Sequence, residues 1–101
     1  MKGLECISAL KALGEENRLR ILSLVFEEPL PVTQIASLLK ISQYNVSKHL
    51  RIMREAGLLE MTKSGNQRLY AVVPELKARI ARNKGVLDLD CCTFRLDKLP
   101  R

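Results

Sequence analysis

Tyr44, Ser47, Lys48 and Arg51 stand at i, i+3, i+4 and i+7, the spacing that gathers side chains on one face of an α-helix. That face carries hydroxyls, an ammonium and a guanidinium, groups suited to phosphate oxygens and to the edges of bases. Val46, Leu50, Met53 and Gly57 stand at i, i+4, i+7 and i+11, a single stripe on roughly the opposite side that can face a core. Ser42 occupies the position of an N-cap, where its hydroxyl accepts from an otherwise orphan backbone N–H. Gln43, Tyr44 and Asn45 then fall in the first helical turn, the part of a recognition helix that enters the major groove. The DNA-facing set read from this helix is therefore Ser42, Gln43, Tyr44, Asn45, Ser47, Lys48 and Arg51. A merely solvated helix face would show the same polarity, so the neighbouring elements decide between the two.

A second set of reactive groups is made only of sulfur. Cys6 lies near one end of the chain, and the adjacent pair Cys91-Cys92 lies near the other. Three thiolates without an imidazole form a soft donor set, matched to trivalent arsenic or antimony in a trigonal pyramid. Zinc prefers four ligands, and the fourth would have to be water, Asp88 or Asp90. Two considerations weigh against a shared site. Cys6, on the Ala9-Leu10-Leu13 side of its helix, is equally a small core hydrophobe. Neighbouring side chains such as Cys91 and Cys92 diverge in both helix and strand, so an irregular turn must bring them to one ion.

The elements around the polar helix make it specific. Val32 to Lys40 reads as a short amphipathic helix, Ile41-Ser42 as a corner, and Gln43 to Ala56 as a second helix stopped by Gly57. Leu58 to Val73 reads as a β-hairpin around Ser64-Gly65-Asn66, with Lys63, Asn66 and Arg68 at its tip as further DNA contacts. Tyr70 braces the hairpin against the core. Helix, turn, helix and hairpin predict an α+β, mainly α, winged helix-turn-helix whose second helix reads DNA.

Length and charge agree. A chain of 101 residues with 47% hydrophobic residues supports one modest core, and a net charge of +6 suits a polyanion. No segment reaches the roughly 18 uninterrupted apolar residues of a membrane helix. Glu5 and Lys11 interrupt any signal-peptide pattern, so a cytoplasmic protein with reduced cysteines and no membrane partner is expected. Leu4, Ile7, Leu10 and Leu13 give a first helix ending near Gly14. A helix from about Glu16 to Phe26 carries Leu19, Leu22, Val25 and Phe26 inward and is broken by Glu28-Pro29-Leu30-Pro31. Pro74-Glu75 opens a last helix that runs to about Lys84. Leu87, Leu89 and Cys91 alternate with Asp88 and Asp90, as in a strand or an extended arm. The expected organisation is a winged-helix domain over residues 1–84 and a cysteine-containing tail over 85–101 packed on the same domain.

Catalysis finds no constellation. His49 is the only histidine, it lies beside the buried stripe, and a hydrogen-bonded structural role is expected for it rather than metal or acid–base work. Glu15, Glu16, Glu27 and Glu28 read as solvated helix-end charges. No glycine-rich phosphate loop is present, and no organic cofactor is expected.

Four segments resemble the ArsR/SmtB family of bacterial transcriptional repressors: residues 17–22 (NRLRIL), 46–50 (VSKHL), 53–58 (MREAGL) and 68–70 (RLY). The match covers roughly residues 5–80, and the Val-Ser-x-His-Leu segment is its most specific part. The resemblance implies a winged-helix homodimer held by its first and last helices. It also implies binding to double-stranded operator DNA at imperfect inverted repeats, and release by a metal, metalloid or redox signal. In the resembled family the His49 position is structural.

The chain departs from the family's familiar sensor sites. Arsenical repressors of the best-known kind carry Glu-Leu-Cys-Val-Cys-Asp-Leu where this sequence has residues 29–35 (PLPVTQI), so Pro31 and Thr33 replace the cysteines. Zinc sites on the last helix need Asp and His, and residues 75–84 contain neither. Because related repressors place arsenite cysteines at different positions on the fold, Cys6, Cys91 and Cys92 are the expected metal site, with arsenic(III) or antimony(III) as inducer. Methylarsenite, another thiophilic metal or oxidants acting on Cys91-Cys92 remain alternatives. A winged-helix protein–protein adaptor without a DNA role is the alternative from another class, and Lys48, Arg51, Lys63 and Arg68 argue against it.

Overall fold

The computed structural model describes residues 6–89 and 93–96. Among the described residues the elements run α1 (Cys6–Leu13), α2 (Glu16–Glu27), β1 (Leu30–Pro31), α3 (Val32–Leu39), α4 (Gln43–Glu55), β2 (Leu59–Ser64), β3 (Gln67–Val72), α5 (Pro74–Arg82), β4 (Val86–Asp88) and β5 (Thr93–Arg95). The architecture is the winged helix-turn-helix expected from the sequence, mainly helical with a β-hairpin wing.

Local chemistry fixes both ends of α4. Ser42 has extended backbone, and its Oγ accepts from the Asn45 N–H at 3.1 Å, which removes one of the unsatisfied donors of the first turn. At the other end Gly57 takes φ +80°, where a side chain would be strained. The Leu58 N–H then reaches back to Met53 O and the Gly57 N–H to Arg54 O, both at 3.0 Å. This is a Schellman closure, sealed by the fully buried Met53 and Leu58. Val46, Leu50 and Met53 point inward as the spacing predicts. Gly57 does not extend that stripe: it is exposed and serves as the terminator.

The corner before α4 begins one residue earlier than expected. Lys40 leaves the helix in the left-handed conformation at φ 59°, and its N–H and that of Ile41 both return to Ala36 O. This reversal lets Ile35 and Leu39 of α3 face the same core as Val46 and Leu50 of α4.

The wing is a two-residue hairpin. Ser64 pairs with Gln67, leaving Gly65-Asn66 as the loop, and only Gly65 has positive φ (63°), as a type II′ turn requires. β3 also pairs with β1, Leu30 opposite Tyr70 and Pro31 opposite Leu69, giving a three-stranded sheet in the order β1-β3-β2. The sequence marks residues 28–31 only as a helix breaker. Two residues are too few to show strand periodicity, and their pairing depends on a distant strand.

The first helix corrects the expected stripe. Ala9, Ala12 and Leu13 are its buried side, whereas Ile7 and Leu10 are 57% and 37% exposed. On α2, Leu22 and Val25 are buried as expected, but Ile21 takes the central place and Leu19 and Phe26 are only partly covered. The helix after the wing starts with Pro74 at its first position and buries Leu76 and Ile80. Beyond it the first part of the alternating tail, Val86–Asp88, is a strand, while Asp90 and Cys91 lie outside the described residues. β4 pairs antiparallel with β5, Leu87 opposite Phe94, and Leu87, Leu89 and Leu96 join the core.

Candidate nucleic-acid interface

Every residue of the expected recognition face is exposed. Ser42, Gln43, Tyr44 and Asn45 form the exposed N-terminal end of α4, and Ser47, Lys48 and Arg51 continue outward along it. Tyr44 is 73% exposed, a large cost for an aromatic ring unless something else covers it. Lys48 Nζ lies 5.6 Å from the centre of the Tyr44 ring, so the two side chains present one cationic, partly apolar surface. Arg51 Nε is 3.8 Å from Glu55 Oε1 one turn on, with both side chains well exposed. A pair so hydrated stabilises little, so breaking it would cost Arg51 little.

The wing tip adds a feature that spacing alone does not show. Lys63 and Arg68 are direct cross-strand partners, both exposed, with Asn66 in the loop beyond them. Like charges opposite one another destabilise a hairpin. Two such cations, unneutralised by a cross-strand acid, suit an anion brought from outside. Lys48, Arg51, Lys63 and Arg68 thus supply cations from both the helix and the hairpin.

Behind α4 lies a polar junction that the sequence discloses only in part. His49 is mostly covered, as expected of a structural histidine, and its Nδ1 is 3.3 Å from Arg18 Nη1 and 3.6 Å from Glu15 Oε2. Arg18 also donates from Nε to Ala12 O and from Nη2 to Lys11 O, closing carbonyls at the end of α1. Glu15 is the helix-end charge expected, but it also has a structural task. It caps α2, its carboxylate accepting from the Asn17 and Arg18 N–H groups at 3.1 and 3.2 Å. Glutamate is an unusual N-cap, so no residue-type signal marks it. Burial, set against the opposing pull of Glu15 and aided by Arg18 and Lys48, lowers the His49 pKa below its usual 6.5. The folded chain therefore resists a proton that the unfolded chain accepts. Stability contributed by neutral His49 is complete above pH 6.5 and is lost as pH falls toward the lower folded value. Thermal melts should give a lower Tm at pH 5.5 than at pH 7.5, and His49→Gln should shrink that difference.

Of the expected sulfur site only Cys6 is described. It sits half-buried in α1 and packs against the core, while Cys91 and Cys92 lie outside the described residues. The sequence predicts a reduced thiol at Cys6; it is disulfide-bonded. Among the described residues no group of three His, Cys, Asp or Glu side chains is arranged to hold a metal ion. Nor is any described helix long and apolar enough to cross a membrane.

An exposed cationic recognition helix backed by a buried stripe, a tight corner and a basic hairpin tip defines a winged-helix DNA-binding protein. The family model for the bacterial regulatory protein, arsR family, matches residues 15–61. The structure of reduced HlyU from Vibrio cholerae N16961 superposes with a TM-score of 0.66 at 34% identity, over 75% of this chain and 81% of that one. The homodimeric winged helix-turn-helix DNA-binding domain Mb0332 of Mycobacterium bovis gives 0.69 at 27% identity, over 77% and 72%. The arsenical resistance operon repressor of Escherichia coli K12 is 36% identical over 77 residues, 75% of this chain and 66% of the relative. The chain belongs to the ArsR family of bacterial transcriptional regulators, DNA-binding proteins rather than enzymes. It spans about half to two thirds of the length of several curated relatives, 54% of one and 62% of another.

Proposed function

We propose that the chain is a homodimeric repressor that binds an inverted-repeat operator through α4 and the wing and leaves it when trivalent arsenic or antimony occupies Cys6, Cys91 and Cys92. The observation that carries the DNA half is the continuous set of exposed donors on α4, Ser42 to Arg51, beside the paired cations Lys63 and Arg68. Direct base readout falls to Gln43 and Asn45 in the first turn, and phosphate contact to Lys48, Arg51 and the wing tip. The exposed Ile7 and Leu10 support dimerisation. They leave α1 apolar on a side that its own core does not cover, as suits a helix packed against a second copy.

The sulfur bond at Cys6 supports the inducer half. A disulfide and a shared soft-metal site both need two sulfurs drawn together, and Cys91 and Cys92 are the only other cysteines in the chain. Oxidised sulfur has no thiolate to offer, so metalloid binding belongs to the reduced protein. The same bond favours a second reading, in which the disulfide is itself the signal. Two thiols then lose two protons and two electrons to an oxidant such as peroxide, which becomes water. Methylarsenite, which needs only two thiolates, separates from arsenite by its indifference to Cys6.

Two experiments test these assignments. Replacing residues 63–68 with Asn-Gly joins Thr62 to Leu69 by a two-residue turn and removes the cationic tip. Gel shift should then show weaker operator binding by a protein whose melting profile and oligomeric state are unchanged; intact affinity would make the wing purely structural. In parallel, reduced protein bound to operator is titrated with arsenite, antimonite, methylarsenite, zinc, cadmium and peroxide. Release by arsenite and antimonite at the lowest doses supports the metalloid site. Release by peroxide alone moves the assignment to redox sensing.

A further inference from the structure

We propose that protonation of His49 uncouples the recognition helix from the α1–α2 corner, so that operator affinity falls as pH falls. The proposal rests on the DNA-binding role of α4 and not on the identity of the inducer. Its basis is the set of groups that meet at one point behind that helix. Arg18 is the hub: Nε and Nη2 hold the carbonyls of Ala12 and Lys11 at the end of α1, and Nη1 faces His49 Nδ1 at 3.3 Å. Guanidinium only donates, so this contact requires a neutral ring with its lone pair at Nδ1. A protonated ring carries N–H on both nitrogens and has no acceptor left. It would then stand as a second cation against Arg18, with Lys48 adding positive charge from its own helix.

Among the described residues the acid that faces His49 is Glu15, 3.6 Å from the same nitrogen. Its carboxylate is occupied as the N-cap of α2. Protonation therefore exchanges a shared hydrogen bond to Arg18 for an ion pair to Glu15, and that exchange draws the capping carboxylate away from α2. Neutral and charged His49 thus favour two arrangements of α2 against α4. Burial of the ring, which disfavours the charge, gives the neutral arrangement its margin.

The consequence reaches DNA because His49 directly follows Ser47 and Lys48 and is fixed to the same short helix. Readout needs side chains held within hydrogen-bond reach of base edges, so a change in how α4 sits on the corner lowers affinity. The sign separates this device from a simple field effect. An added positive charge near phosphates, acting through space, would strengthen binding on acidification.

The test uses the full chain, kept reduced, and a duplex selected from a random pool at pH 7.5. Fluorescence anisotropy at fixed ionic strength from pH 7.5 to 5.5 should show affinity falling about fivefold or more, within the usual range of coupling between two sites. His49→Gln, which cannot become charged, should flatten that profile whatever its affinity at pH 7.5. Glu15→Gln keeps an acceptor for the cap but loses the anion, and should reduce the response. In DNA-free protein the single histidine should titrate below 6.5 by NMR, and the Asn45 and Lys48 amides should shift with the same midpoint. The idea is overturned if affinity is constant or rises on acidification, if His49→Gln keeps the wild-type profile, or if the α4 amides ignore the titration.

Discussion

Replacing Lys48 and Arg51 together with alanine should abolish most operator binding at physiological salt and flatten the salt dependence of what remains. Both side chains are exposed on the outward face of α4, and neither anchors the core. Every phosphate that loses its cationic partner takes about 0.9 off the slope of log K against log salt. Two such phosphates in each of two subunits therefore lower the slope by about 3.6. Folding should survive, because the Arg51–Glu55 pair is hydrated and the buried stripe is untouched. Gln43→Ala and Asn45→Ala should behave differently. Removing a bidentate hydrogen-bond pair to a base costs about 1–3 kcal/mol against the preferred base and leaves the salt slope nearly unchanged. Unchanged operator affinity in the double variant would remove α4 from the interface.

The division between what the sequence discloses and what it hides follows the range of the interactions. α4 and the wing are legible because their signals are local: a Ser42 cap, a stripe at helical spacing, and glycines at the end of α4 and in the wing turn. The short β1 is not, since Leu30 and Pro31 are a strand only by virtue of Tyr70 and Leu69. The apolar positions of α1 are visible, but periodicity cannot tell a residue that meets its own core from one left for a partner. Ala9 and Leu13 therefore look no more buried than Ile7 and Leu10. The Glu15–Arg18–His49 junction is hidden twice over, by an unusual capping residue and by the sequence distance from α2 to α4. The opposition of Lys63 and Arg68 emerges only when the loop is shortened to Gly65-Asn66, because register decides which side chains face each other. For Cys6, compartment predicts a thiol, and only the fold reveals a bonded sulfur.

Changing the cysteines should give the other large effect. Cys91→Ser and Cys92→Ser should each leave operator binding normal and abolish release by arsenite, and Cys6→Ser should do the same for arsenite while sparing methylarsenite. Serine keeps the size but offers no thiolate, and the thiolate is the binding species. For occupancy to release DNA, arsenic must bind the non-binding conformation more tightly, since equal affinity for both shifts nothing. Placement of Cys6 in the helix that carries the exposed Ile7 and Leu10 gives such a preference a route, through the proposed dimer contact to the spacing of the two α4 helices. X-ray absorption of the arsenic-loaded, reduced protein should report three sulfur neighbours. Oxygen-dominated coordination, or a triple serine variant that still responds, would remove the site.

The most direct measurement of the central claim is amide shift mapping during titration with an inverted-repeat duplex selected from a random pool. Perturbations should concentrate at residues 42–51 and 63–68, saturate at one duplex per dimer, and survive excess unrelated DNA. The exposed face of α5 around Ala78 and Arg82 should stay silent. Perturbations confined to that face, or shifts that unrelated DNA reproduces at equal strength, would contradict sequence-specific recognition by α4 and the wing.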